Sequence, residues 1–260
     1  GSLTISGNSV SGTDSEGNDF RMAFDNSGKM TAWTYAGKQI LHTNANGTIA
    51  SGAAPDFNSC RNIDNDKEST GTANVGCVNS SSTKIIKALT KDDASGCATM
   101  TVQGNAKNCQ YTIRYTFYPD ATVDMKTTFS PSGATRRLGL GLQLASGFEN
   151  VEFYARGPRS NYSDRKTGSY LGRFTTTVDD MVEEQIHPQT YGDHEDLREL
   201  LLSNKEEGLT LTVQVDGKAS FSLSHFDESK WIEEGSNLWK IPTHWYDLVR
   251  KPQVFAHIDY

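Results

Sequence analysis

The sequence predicts an all-β fold, a large antiparallel sandwich. Three observations carry that prediction: apolar and polar residues alternate with period two in segment after segment, turn-forming residues interrupt them at short intervals, and helix-period stretches are few and short. The first element is Phe20-Arg21-Met22-Ala23-Phe24-Asp25, which alternates, meets turn chemistry at Asn26-Ser27-Gly28, and resumes extended over Met30 to Tyr35 as the second arm of a hairpin. Tyr111 to Tyr118 alternates without a break, stops at Pro119-Asp120 and restarts from Thr122 to Phe129, the clearest strand pair in the chain. Leu138 to Leu144, Val151 to Tyr154, Leu209 to Val215 and Phe221 to Phe226 continue the pattern. A helical turn or two is expected only between Lys240 and Arg250, where Pro242 limits it. The Asn-, Ser- and Thr-rich stretch from Asp64 to Ser82 reads as a long surface excursion.

Composition narrows the function classes. A chain of 260 residues with no Pro/Gly/Ser linker between periodic regions is expected to form one domain, residues 1–260. A net charge of −7, with Lys and Arg scattered so that the longest basic cluster is Arg136-Arg137, argues against nucleic acid or an anionic membrane surface as partner. No apolar run approaches the roughly 20 residues that span a bilayer, and Gly1-Ser2-Leu3 opens without the charged and apolar regions of an export signal. No fixed-period repeat points to a propeller or solenoid.

Cys60, Cys77, Cys97 and Cys109 fit neither a Cys-x-x-Cys nor a His-containing zinc spacing, so no metal site and no cofactor is expected. An even count in a polar, loop-rich region suits one or two disulfides in an oxidising compartment, periplasmic or secreted. Cys60 with Cys77 and Cys97 with Cys109 is the simplest of three full pairings, and four reduced thiols are the alternative. Asn46, Asn79 and Asn161 stand in glycosylation sequons, which arise by chance in a chain this rich in Asn, Ser and Thr.

The densest run of backbone-shaping and hydrogen-bonding residues is Gly157-Pro158-Arg159-Ser160-Asn161-Tyr162-Ser163-Asp164-Arg165. It stands in an ordered series: Asp56-Phe57 and Arg61 to Asp66, Arg137-Leu138-Gly139-Leu140, the run itself with Thr167-Gly168, then Pro188-Gln189-Thr190-Tyr191-Gly192 and Asp196-Leu197-Arg198. Phe221 to Ser224, Thr243 to Leu248 and His257-Ile258-Asp259-Tyr260 close it. From about Phe20 to Tyr260 this series resembles the C-terminal small-chain domain, domain 5, of glycoside hydrolase family 2 β-galactosidases.

The resemblance implies a galactose-mutarotase-like supersandwich, in a chain that is a fragment of a larger multidomain glycoside hydrolase. In that family the two carboxylates of a retaining glycosidase, roughly 5 Å apart, belong to a separate (β/α)8 barrel. This chain alone is therefore expected to be inactive, with no catalytic residue of its own, and its partners are a galactoside-type carbohydrate and the barrel. Two departures stand out. The family's Pro-Thr-Asp-Asn-Asp is here Asn62-Ile63-Asp64-Asn65-Asp66, followed by a region unlike the family's Trp-containing helix, and the family's Gly-rich segment ending in Ser-Trp-Gly is not among these residues.

The polar residues of the matched motifs are the carbohydrate-binding candidates: Arg137, Asn161, Tyr162, Asp164, Arg165, Gln189 and Arg198. Guanidinium and amide groups offer bidentate geometry to sugar hydroxyls, while the same residues could equally form a buried network that stabilises the fold. Trp33, Trp231, Trp239 and Trp245 could stack on a sugar ring or anchor the core. Two rival readings exist: a stand-alone carbohydrate-binding module, and an aldose mutarotase-like protein using His187, His194 and Glu195 for proton transfer.

Overall fold

Met30 to Tyr35 does fold back on Phe20 to Phe24, and the turn between them shows why. The computed structural model describes residues 1–61, 78, 81–133, 135, 137–184, 189–228 and 248–260. Asp25 Oδ1 accepts the backbone N–H groups of Ser27 at 2.8 Å and Lys29 at 3.0 Å, and Gly28 takes a φ of +86° where Val102 leaves no room for a Cβ. The chain divides into two compact units, residues 1–57 with 80–134 and residues 58–79 with 135–260.

Unit 1 contains a five-stranded antiparallel sheet in sequential order, β1 (Thr4–Ser6), β2 (Ser9–Thr13), β3 (Asp19–Phe24), β4 (Met30–Tyr35) and β5 (Lys38–Gln39). β6 (Asp56–Asn58) ends where unit 2 begins. Unit 1 resumes with β7 (Ser81–Lys91), β8 (Ala98–Ala106), β9 (Cys109–Phe117) and β10 (Val123–Pro131), a four-stranded meander. Phe24 of the first sheet meets Tyr115 and Phe117 of the second edge to face, at 5.1 and 5.9 Å between ring centroids. Unit 1 is thus a sandwich. The alternation read over β9 holds residue by residue: Tyr111, Ile113, Tyr115 and Phe117 are buried and the residues between them are not.

Unit 2 pairs two further four-stranded sheets, introduced in chain order by β11 (Gly139–Leu144), β12 (Asn150–Gly157), β13 (Tyr170–Thr177), β14 (Glu199–Asn204), β15 (Leu209–Gln214), β16 (Ser220–Ser224) and β17 (Val254–Asp259). One sheet runs β16-β17-β11 and on to the end of β6, the other β13-β12-β14-β15. Phe153 of one sheet and Phe221 of the other meet at 5.2 Å, closing a second sandwich. The only helical element among the described residues is a 3-10 turn, Asp179–Met181, and no helix is long and apolar enough to cross a membrane. The chain is all-β, as expected.

Three expectations are corrected. The loop expected through Ser82 gives way at Ser81 to β7. Cys97 and Cys109 are free thiols. They precede β8 and open β9, strands that pair antiparallel with Ala106 opposite Cys109, so a strand of nine residues separates the two positions, about 30 Å at the rise of an extended chain. A disulfide needs Cα atoms within about 7 Å. Cys60 is disulfide-bonded, and Cys77 lies outside the described residues, as do most of the expected helical turn at Lys240 to Arg250 and Trp231, Trp239 and Trp245. Lastly, alternation over Phe221 to Phe226 implies a half-solvated strand, but all five residues of β16 are buried.

Candidate functional site

The run from Gly157 to Arg165 leaves the end of β12 and turns back on itself around one fully buried amide. Asn161 Nδ2 donates to the carbonyls of Arg156 at 3.0 Å and Arg159 at 3.1 Å, and its Oδ1 accepts the Glu195 N–H at 3.0 Å. Its own N–H donates to the Asp193 carbonyl at 2.7 Å. Asn161 therefore pins this loop to the segment after Pro188-Gln189-Thr190-Tyr191-Gly192 and offers nothing to solvent, which also removes it as a glycan acceptor.

With the backbone held this way, the next side chains face outward over a cavity of about 220 Å³. Tyr162, Asp164, Arg165 and Gln189, four of the seven expected residues, line it together with Arg61, Ser160, Glu183, Thr190 and Tyr191. The Tyr162 hydroxyl donates to the Thr190 carbonyl at 3.4 Å, and its ring carries the Arg61 guanidinium at 4.7 Å and that of Arg165 at 5.7 Å. Burial pushes the Tyr162 phenol well above its usual range, so it remains a neutral donor. Ser160 donates its N–H to Glu183 Oε1 at 3.0 Å and its hydroxyl to Glu183 Oε2, while accepting from Arg165 Nη2 at 3.1 Å. Glu183 is thereby occupied by the protein. Asp164, Gln189 and the Arg61 guanidinium make no hydrogen bond or ion pair among the described residues, so a carboxylate, an amide and a planar cation stand open beside an aromatic ring.

Arg137 lies elsewhere, in the interior of unit 2. Its Nε donates to Asp259 Oδ2 at 2.6 Å, Nη2 to Ser222 Oγ at 2.6 Å and Nη1 to the Cys60 carbonyl at 3.2 Å, with Glu228 Oε2 at 3.8 Å. Its side chain is 7% exposed. Burial would raise the Asp259 carboxyl, but the charges of Arg137 and His257 outweigh it and hold Asp259 below the ordinary value. Asp193 is pushed the other way, up to about 8, by burial and by Asp259 against the pull of Arg137. Glu228 is raised by burial and accepts from Thr190 Oγ1 at 2.7 Å, so the buried centre braces one wall of the cavity. Arg198 is exposed at the entry to β14 and takes no part in either group.

The two described members of the proton-transfer trio, His194 and Glu195, are each engaged by the fold. His194 is 3% exposed, its ring stacked on Phe221 at 5.2 Å and against Phe153 at 4.7 Å, with Nδ1 2.8 Å from the Arg156 carbonyl oxygen. Glu195 pairs with Lys166 at 3.1 Å, and His187 lies outside the described residues. Trp33 sits half-buried in β4 of unit 1. Sequence reasoning passes over Arg61, Ser160, Glu183 and Thr190 as site residues. Arg61, Ser160 and Thr190 stand within the matched motifs and Glu183 outside them, and which side of the loop faces the cavity depends on the Asn161 bonds.

The described lining of the cavity sets hydrogen-bonding groups around an aromatic face, the chemistry of a polar binding site. Comparison with known proteins agrees with the order of motifs. A family model described as the β-galactosidase small chain matches residues 16–260. The β-galactosidase of Staphylococcus xylosus is 33% identical over 165 residues, covering 64% of this chain and 14% of that protein. That of Halalkalibacterium halodurans is 26% identical over 144 residues, covering 53% and 14%. That of Lactococcus lactis subsp. lactis is 31% identical over 124 residues, covering 47% and 11%. Among solved structures, an Aspergillus nidulans amine oxidase aligns over 99% of this chain at 9% identity with a TM-score of 0.37, too low to support an inference.

Proposed function

Because this chain belongs to the β-galactosidase small-chain family, we propose that it is the C-terminal accessory domain of a β-galactosidase, its two units working as one domain beside a catalytic (β/α)8 barrel that hydrolyses terminal β-galactosides. The carrying observation is the pair of coverages: the family model takes in residues 16–260, while the matched segment is only 14% of the Staphylococcus xylosus enzyme. In this reading the barrel supplies the acid/base and nucleophile carboxylates, and this chain supports the site and contributes to holding the carbohydrate.

The cavity around Tyr162 is the place where that contribution is made. Arg61, Asp164, Arg165 and Gln189 present unlike hydrogen-bonding groups in a volume of about 220 Å³, the size of one sugar ring, and Tyr162 supplies an aromatic edge and a neutral hydroxyl. Arg137 and Asn161 keep those groups in place from behind. Arg198 has no role. The disulfide at Cys60 supports an oxidising compartment, periplasmic or secreted.

Two measurements test this. The purified chain, free of host enzyme, is expected to show no hydrolysis of a nitrophenyl galactoside, and measurable turnover would overturn the accessory role. Calorimetry with galactose and lactose is expected to show weak binding that Gln189→Ala and Arg61→Ala reduce, and the absence of heat at millimolar sugar would remove the carbohydrate contact while leaving the structural role standing.

A further inference from the structure

Away from that cavity, the ends of four strands of unit 2 bring together side chains that neither the sugar-binding reading nor the buried Arg137 centre uses. Glu149 immediately precedes β12, Asp179 opens the 3-10 turn after β13, His225 follows β16 and Gln253 precedes β17. Backbone bonds tie these ends, Val178 N–H to the Glu149 carbonyl at 3.0 Å and Lys251 N–H to the His225 carbonyl at 2.8 Å.

The His225 imidazole is 2% exposed, and its orientation is set from outside the cluster. Nδ1 stands 2.9 Å from the Gln253 carbonyl oxygen, which only accepts, so Nδ1 carries the hydrogen. The lone pair of Nε2 then faces Glu149 Oε2 at 2.6 Å and Asp179 Oδ1 at 4.0 Å. Two acceptors meet head on, and only a shared proton or a metal ion between them reconciles the pair. A backbone carbonyl fixing one ring nitrogen so that the other can ligate is the usual support of a metal-bound histidine. The carboxylates are also braced: Glu149 Oε1 accepts the Asp179 N–H at 2.9 Å, and Arg250 forks onto Asp179 at 2.7 and 2.9 Å.

We propose that Glu149, Asp179 and His225 form a binding site for a divalent transition-metal ion of the zinc and manganese class, with His225 Nε2 and one oxygen of each carboxylate as ligands. The three ligand atoms already lie within 4.8 Å of one another. Ligands at about 2.1 Å in tetrahedral geometry stand about 3.3 Å apart, so loading requires the partly exposed Glu149 to draw back from 2.6 Å and Asp179 to close in from 4.0 Å while the buried ring stays put. Asp179 is 52% exposed, which leaves a path for entry and room for water on the ion. An imidazole among the ligands disfavours calcium and magnesium, which take oxygen. The bound ion would clamp four strand ends and raise stability in proportion to occupancy.

The test is calorimetric titration of ZnCl2 and of MnCl2 into the full chain stripped with chelator, in a Cys97→Ser background that removes the half-exposed thiol, with CaCl2 and MgCl2 as comparisons. One site per chain is expected, with a melting temperature that climbs with added metal and a loss of at least about tenfold in affinity in Glu149→Gln and Asp179→Asn. His225→Gln should lose it altogether, and because that ring is buried, the two carboxylate variants at partly exposed positions decide the matter if it fails to fold. No heat and no thermal shift with either ion at about 1 mM, or unchanged binding in both carboxylate variants, would overturn the proposal and leave a proton as the bridge.

Discussion

Arg137 and Arg61 belong to the same unit, come from the same set of matched motifs and end in opposite situations. Arg137 is enclosed, and each nitrogen of its guanidinium donates to the protein, to Asp259, Ser222 and Cys60. Arg61 lies over the Tyr162 ring with no acceptor among the described residues, beside Asp164 and Gln189 in the same condition. The motif chemistry is identical, arginine with carboxylate, hydroxyl and amide. Burial separates the roles: an enclosed guanidinium must be satisfied from within, because an unpaired charge there costs far more than the pair returns, whereas one at a cavity rim can leave its donors to water or to a ligand.

The contrast is broken most severely at its buried side. Arg137→Met keeps the bulk and removes the cation, leaving Asp259 and Glu228 uncompensated, and should cost about 3–5 kcal/mol in urea denaturation. Asn161→Ala orphans the Glu195 N–H and the Arg159 carbonyl behind the cavity and should cost about 2 kcal/mol or more by the same measurement, with sugar binding lost alongside because the loop is no longer pinned.

Asp193 gives the pH signature of the enclosed side. Its folded pKa of about 8 lies above that of an unfolded aspartate, so the folded state holds the extra proton across the interval between them. Stability is therefore fully supported below the unfolded value and declines as pH rises toward and through about 8. Asp193→Asn should flatten that decline, and an identical slope in both proteins would count against the buried proton. On the open side, Arg61→Ala and Gln189→Ala should each change stability by less than about 1 kcal/mol while weakening galactoside binding about tenfold, equivalent to about 1.4 kcal/mol. Smallest of all, Arg198→Ala should leave both stability and binding within experimental error.

Most of the strand framework is legible in the sequence because alternation needs only local information. β9 reads correctly in isolation, since burial on one face and solvent on the other is written into successive residues. β16 defeats the same reading. Ser222 and Asp259 point inward among apolar neighbours because Arg137 awaits them, and Arg137 stands 122 residues from Asp259 in sequence. The site is half legible for a related reason. Tyr162, Asp164, Arg165 and Gln189 follow from the motifs and do share a cavity, while Arg61 arrives from a distant segment and Asn161 and Arg137 turn inward. The Glu149, Asp179 and His225 cluster has no local signature at all, because its members come together only when four strand ends meet.

The enclosure of Asn161 sets folding and modification against each other. Asn161-Tyr162-Ser163 is a valid acceptor triplet, yet both polar atoms of the asparagine amide are committed to backbone groups, Nδ2 to Arg156 and Arg159 and Oδ1 to Glu195. In a host that glycosylates secreted chains, a sugar could be added only before the loop closes, and a chain so marked could not close it. The fraction of molecules carrying a glycan at this position would thus act as a clock, recording how long the segment stays open during export.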